Sequence, residues 1–161
     1  MSPNDDEGDE IIALDAQTLQ PRQQFGLSLL KGAFRMAVVG EELFVCDSGN
    51  DRLQVFSLAG EHRRSITGEW KRPMALCFVK DRLYLIEEAD PEEDADGNLI
   101  NPLQGRRIFV LSLQGETLQV YTHPGEGQLF DALCCFDGKL LAPVRHRHSC
   151  FVRAVVALCG V

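Results

Sequence analysis

The sequence has no apolar run approaching the ~20 residues that would span a bilayer. Its longest uncharged apolar stretch near the end, Ala154 to Val161, is the size of a strand. Basic residues are not in excess either: 16 Lys and Arg stand against 24 Asp and Glu, a formal charge of −8. A field of that sign repels phosphate backbones, so nucleic acid is a disfavoured partner. No pair among the six cysteines (Cys46, Cys77, Cys134, Cys135, Cys150, Cys159) has C-x-x-C spacing, which removes the usual zinc and dithiol patterns. Lying mostly in apolar runs, they read as buried thiols. A G-x-S-x-G elbow, a phosphate-cradling glycine loop and a paired-carboxylate motif are all missing. The expectation is a protein without catalysis, metal or cofactor. Met1 to Glu10 carry five acidic side chains and no apolar run, matching neither a secretory signal nor an Arg-rich transit peptide. The cytoplasm, or the nucleus, is the expected place, and residues 1–9 read as an acidic disordered tail.

What is present is ordinary globular composition, 45% apolar and 25% charged, far from the corner that signals disorder. It is arranged as a repeat. Arg52-Leu-Gln-Val-Phe-Ser-Leu-Ala-Gly-Glu61 aligns with Arg107-Ile-Phe-Val-Leu-Ser-Leu-Gln-Gly-Glu116, 55 residues later. Upstream of these, Met36-Ala-Val-Val matches Met74-Ala-Leu-Cys, with starts 38 apart. One acidic insertion, residues 87–105, accounts for the unequal spacing. Without it the period is about 40, the length of a four-stranded propeller blade. Glu10 to Gly26 echoes the second half of a unit, Phe130 to Val144 the first half, and Val152 to Gly160 falls on Arg52 to Gly60.

Within each unit, segments rich in Val, Leu, Ile and Phe are separated by Gly, Asp, Asn or Lys-Asp turns, which argues strands. The first full unit divides into Arg35–Val39, Leu43–Cys46, Leu53–Leu58 and Arg63–Thr67. Its first hairpin turns at Gly40-Glu41-Glu42, and the last unit turns at Asp137-Gly138. Ile108 to Leu111 and Ala37 to Val39 are apolar at successive positions, so each sheet should be covered on both faces, as in radially stacked blades.

Leu43-Phe-Val-Cys-Asp-Ser-Gly-Asn-Asp-Arg-Leu-Gln-Val-Phe56 resembles the NHL repeat at its second and third strands and the turn between them. In this turn Asp47 and Asn50 can cap backbone groups, Gly49 can supply a positive φ, and Arg52 can pair with an acidic neighbour; holding the turn is itself a sufficient role for them. The second unit departs from the pattern, with Glu87 in place of Asp47 and no Gly-Asn turn after it. The third carries Pro143-Val144 and Arg145-His-Arg-His148 instead. The resemblance implies an all-β, incomplete β-propeller over residues 10–161, about three four-stranded antiparallel blades in an open arc. Either the chain is a piece of a larger ring, or its open end blades take a second copy or another chain.

In a four-stranded blade the second-to-third and fourth-to-first connections emerge at one end. That end gathers Asp47, Asn50 and Arg52, the Lys71-Arg72 corner, and the insertion with Glu87, Glu88, Asp94 and Asp96, closed by Arg106. Loops on a rigid scaffold carry function, and seven carboxylates between Glu87 and Asn98 favour a basic protein or peptide segment. As a calcium loop the run fails, because Leu103 falls where a bidentate Glu is required. His146-x-His148-x-Cys150 offers three ligand types on one strand face, a spacing rare in metal sites, and is read as a basic turn. The expected function is a non-catalytic interaction module, as in the substrate-recognition parts of ubiquitin ligases that the family resembles. The alternatives are RNA binding, which net acidity opposes, and a piece of a metal-dependent propeller lyase or lactonase.

Overall fold

A computed structural model describes residues 8–88 and 93–146, together with the backbone of 152–158. Residues 1–7, and with them most of the expected acidic tail, lie outside it, as do His148 and Cys150. No α-helix occurs among the described residues, and no helix is long and apolar enough to cross a membrane.

The chain begins as a hairpin of β1 (Asp9–Leu14) and β2 (Pro21–Leu30). Next comes a four-stranded antiparallel sheet in chain order, β3 (Ala33–Val39), β4 (Glu42–Asp47), β5 (Arg52–Ser57) and β6 (His62–Thr67). A second such sheet holds β7 (Pro73–Val79), β8 (Arg82–Glu87), β9 (Arg107–Leu111) and β10 (Thr117–Thr122). In the last, β11 (Gln128–Phe130) and β12 (Cys134–Phe136) pair with two parts of β13 (Lys139–His146), whose other edge takes β14 (Val152–Leu158). The expected architecture holds: an all-β open arc of propeller blades, with a half blade, two whole blades and three quarters of another.

The period of two along each strand divides its side chains between neighbouring sheets. On β4, Leu43 and Val45 face the first hairpin with Ile11, Leu30 and Phe56. The alternate residues Phe44 and Cys46 face the second blade, where they meet Leu85, Phe109 and Leu111. Beyond it, Ala75, Ile86 and Ile108 pack on Phe130, Leu140 and Val144. Each fully buried Leu or Phe stabilises by roughly 1.5–3 kcal/mol, so the three inter-sheet cores hold the arc and no single sheet could stand alone.

Several expectations need correction. Gly49 is not at positive φ; that conformation falls on Asp51 (φ 53°). Gly49 is needed for space, since a Cβ there would lie 2.8 Å from the Lys31 carbonyl oxygen. Strand pairing equates Met36 with Leu76 and Val38 with Phe78, two residues further along than the sequence match of Met36 with Met74. Two-sided coverage holds for β4, β5 and β9 but not for β3, whose Phe34, Met36 and Val38 are exposed. Cys134 and Cys135 are exposed and not buried; they lie on β12 of the last blade, beyond which no described sheet packs. Cys46 is the buried thiol expected, its pKa pushed up to about 12 by burial, which leaves it protonated and inert.

Candidate functional site

The loop end of the arc is built around two buried carboxylates. Asp47 ends β4 with no exposed surface. Its Oδ1 accepts from the Lys31 backbone N–H (2.7 Å) and from Asn50 Nδ2 (2.9 Å), and its Oδ2 accepts from Arg52 Nε (2.8 Å). One turn of 3-10 helix, Ser48–Asn50, brings Asn50 back to this carboxylate. Glu87 ends β8 and is equally buried. Its Oε2 accepts from Lys71 N–H (3.1 Å) and Arg107 Nη2 (2.8 Å), and its Oε1 from Gly105 N–H (3.2 Å) and Arg107 Nε (2.8 Å). Buried charges persist only when paired and hydrogen-bonded, and both sites meet that condition. Asp47 and Glu87 are thus turned inward, away from any partner's reach.

Each of these loops also clips onto the corner that opens the next blade. Asp51 accepts from the Arg72 N–H (2.7 Å) and pairs with Lys71 Nζ (3.3 Å), while Ser48 Oγ donates to the Pro73 carbonyl. Arg72 Nε pairs with Glu88 Oε2 at 2.6 Å, and Glu88 N–H donates to the Arg72 carbonyl. One blade further, Arg106 Nη2 donates to the His123 carbonyl (2.9 Å) and Phe130 N–H to that of Gly105 (2.7 Å). The result is a continuous belt from residue 31 to residue 130. Trp70 anchors its middle: fully buried, it meets Phe109 edge-on with ring centroids 5.7 Å apart. Sequence reasoning missed Trp70, which stands alone among polar and charged neighbours.

Asn50, Arg52, Lys71, Arg72, Glu88 and Arg106 are therefore all in the belt. Asp94 and Asp96 are not. They sit on an exposed turn closed by the Glu93–Leu99 bridge, where Asp94 Oδ1 accepts from the Asp96 (3.0 Å) and Asn98 (2.8 Å) N–H groups. Those bonds, Asn98's first, hold the Asp94 carboxyl below its usual pKa and keep it charged. Among the described residues no group of three His, Cys, Asp or Glu side chains is placed to hold a metal. His62 and His123 each have a partner. His62 Nε2 lies 2.8 Å from the Gln54 amide, and His123 Nδ1 accepts from Gly125 N–H at 3.0 Å.

Apart from the loop end, a concavity of about 400 Å³ opens on the inner strands of all three blades. It is lined by Phe34, Arg35 and Met36 of β3, Met74 to Leu76 of β7, and Asp131 to Leu133 between β11 and β12. Asp131 pairs with Arg145 (3.1 Å); among the described residues Arg35 has no ion-pair partner.

No protein-family model and no curated protein matches the sequence. Solved structures do match the fold. Hydrazine synthase of Kuenenia stuttgartiensis aligns at a TM-score of 0.65 with 13% identity, over 89% of this chain and 38% of that one. Glutaminyl cyclase of Myxococcus xanthus aligns at 0.58 with 18% identity, over 91% of this chain and 56% of that one. The computationally designed Ika4 protein aligns at 0.60 with 16% identity, over 94% and 80%. This chain thus spans about half or less of the two natural proteins, and at such identities the likeness is one of propeller-like fold.

Proposed function

We propose that the chain is a non-catalytic interaction module, built like an NHL-type propeller, that binds a basic protein or peptide segment at its loop end. The belt carries this reading. Most of its cations are matched internally, Arg52 by Asp47, Lys71 by Asp51, Arg72 by Glu88 and Arg107 by Glu87, so the acidic turn around Asp94 and Asp96 adds negative charge beside a rigid platform. Such a field speeds encounter with a cationic segment and is screened by salt. Residues 89–92, which hold two more of the acids, lie outside the described structure. A cytoplasmic or nuclear setting suits such a module.

The test is fluorescence anisotropy with a labelled Lys/Arg-rich peptide at two ionic strengths. Binding should weaken as salt rises, and should weaken again when the carboxylates of the exposed turn are changed to Ser or Asn. Salt-independent binding, or binding indifferent to those changes, overturns the proposal.

The inner concavity and the fold shared with glutaminyl cyclase favour a second reading, a piece of a propeller enzyme whose reacting groups face the axis. Stoichiometric calcium or zinc in the purified chain, or turnover lost in Arg35→Ala, would select it over the module.

A further inference from the structure

On the side of the arc that faces the axis, a bulge in β3 gathers two unlike side chains. Ala33 pairs with Asp47 and Met36 with Val45, so Phe34 and Arg35 together stand opposite Cys46, the arrangement by which a bulge re-aims a side chain. Cys46 faces the second blade. Phe34 and Arg35 therefore turn the same way, into the concavity of about 400 Å³ that they line with Met74 and Leu76 of β7. Phe34 is 61% exposed there, and the Arg35 guanidinium has no ion-pair partner among the described residues. The other charge in the lining, Asp131, is matched by Arg145, which leaves one positive charge against walls that are mostly apolar. Backbone groups add to it. The Phe78 carbonyl accepts from Cys135 Sγ (3.4 Å), and backbone groups alternate in direction along an antiparallel strand. Those of Leu76, two residues earlier, thus also point off the free edge of β7, and those of Met36, in the same register position on β3, point off its own.

We propose that this concavity binds a carboxylate joined to an aromatic ring, the carboxylate on the Arg35 guanidinium and the N–H groups of Met36 and Leu76, the ring against Phe34 and Leu76. A guanidinium fork meets a carboxylate through two parallel charge-assisted bonds, and an exposed ring beside it offers an offset or edge-on partner for a second ring. Apolar walls with a few convergent polar groups are the usual make-up of a small-ligand site. A cationic ligand is repelled by Arg35, and a doubly charged phosphate finds one cation where it needs more. The lining comes from three consecutive blades, so blades added on either side of the arc would stand across the axis and leave these walls in place. The same chemical group occurs on a free aryl-substituted acid and at the C-terminus of a peptide ending in Phe. Binding requires neither metal nor turnover, which sets it apart from an enzyme reading of the same concavity.

The test titrates phenylacetate, and separately the peptide Gly-Gly-Phe with a free C-terminus, into the full chain in the presence of EDTA, with amide resonances followed by NMR. At least one of the two should bind saturably and move the Met36 and Leu76 N–H signals; the tighter one names the source of the group. Amidating the carboxylate of either probe should weaken binding about tenfold or more, and so should Arg35→Ala. Phe34→Ala should weaken it as well. Both residues are exposed, so the variants keep their fold, which the emission of buried Trp70 verifies. Binding that does not saturate, amides or plain acetate that bind as tightly as phenylacetate, or affinity untouched by Arg35→Ala overturns the proposal. Substitutions in the acidic turn leave this binding unchanged, which separates it from the loop-end proposal.

Discussion

At the end of β4 the Asp47 carboxylate receives a backbone N–H from Lys31, a side-chain amide from Asn50 and a guanidinium from Arg52. At the end of β8, Glu87 receives a backbone N–H from Lys71, another from Gly105 and both arms of Arg107. The first and last donors are equivalent. The middle one is not: where the short turn returns a side chain, the insertion returns its own backbone at Gly105. An extra methylene in Glu87 accompanies two-armed pairing with Arg107, whose guanidinium also stacks on Phe109 with its carbon 4.9 Å from the ring centroid. Arg52 has polar Gln54 at the position of that ring and donates its other arm to the Leu29 carbonyl (3.0 Å). The side chain of Arg107 is 13% exposed and that of Arg52 31%. What is retained between blades is a satisfied buried anion tying the end of the second strand, the start of the third and the blade's own opening corner. The loop between those strands is free to change.

The sharpest way to break this comparison is to remove each anion. Glu87→Ala strands a guanidinium that is almost wholly buried and should cost about 3–5 kcal/mol, the range for breaking a buried ion pair. Asp47→Ala leaves Arg52 closer to water and its amide donors unpaired, so about 1–3 kcal/mol is expected. Urea unfolding followed through Trp70, the single tryptophan and fully buried at the belt, measures both. Equal losses would show that exposure of the arginine is not what separates the two corners.

A graft sharpens the same point with a smaller effect. Replacing residues 88–106 by the Ser48–Asp51 turn, with Glu87→Asp, converts the second corner into the first. Shortening the loop lowers closure entropy by roughly 0.6 kcal/mol per halving, and losing the Arg106 and Gly105 contacts to the third blade offsets it. Stability should therefore stay within about 1 kcal/mol while affinity for the basic peptide falls. A graft that fails to fold would mean that the insertion is structural.

The corners were half legible in the sequence. Asp47, Arg52, Glu87 and Arg107 stand out because the repeat sets side chain against side chain, and strand limits follow from alternation and turn residues to within about a residue or two. Lys31 and Lys71 were invisible as partners, since each contributes a backbone N–H that any residue but proline could give. Gly49 is necessary for a reason other than the expected positive φ, as crowding by the blade's own opening corner at Lys31 leaves no local trace. The split of the third blade's inner strand into β11 and β12, which leaves Cys134 and Cys135 exposed, reflects tertiary position and not pattern. Likewise nothing in Met36 and Val38 distinguishes them from buried Leu76 and half-buried Phe78; what differs is that, among the described residues, the preceding blade has only two strands.

The smallest effect comes from setting the same bonding pattern in water. Asp15, in the turn of the first hairpin, accepts at Oδ1 from Gln17 N–H (3.0 Å) and from Thr18 N–H (2.9 Å) and hydroxyl (3.0 Å), and at Oδ2 from Arg22 Nη2 (2.8 Å). Two backbone donors and a guanidinium make nearly the inventory of Glu87, but at the surface, where solvent competes for every partner. Arg22 first, then the turn's N–H groups, hold the Asp15 carboxyl at about 2 against an ordinary 3.8. A carboxylate depressed on folding stabilises fully above its unfolded pKa and loses that contribution as pH falls through the folded value. The window is therefore from 3.8 down to about 2. Carboxyl carbon shifts followed by NMR should place the Asp15 midpoint near the lower figure, and Arg22→Gln should return it most of the way. A midpoint near 3.8 in the unaltered chain would show that these bonds do not persist in solution, and that burial, more than the donor set, makes a corner of this kind hold.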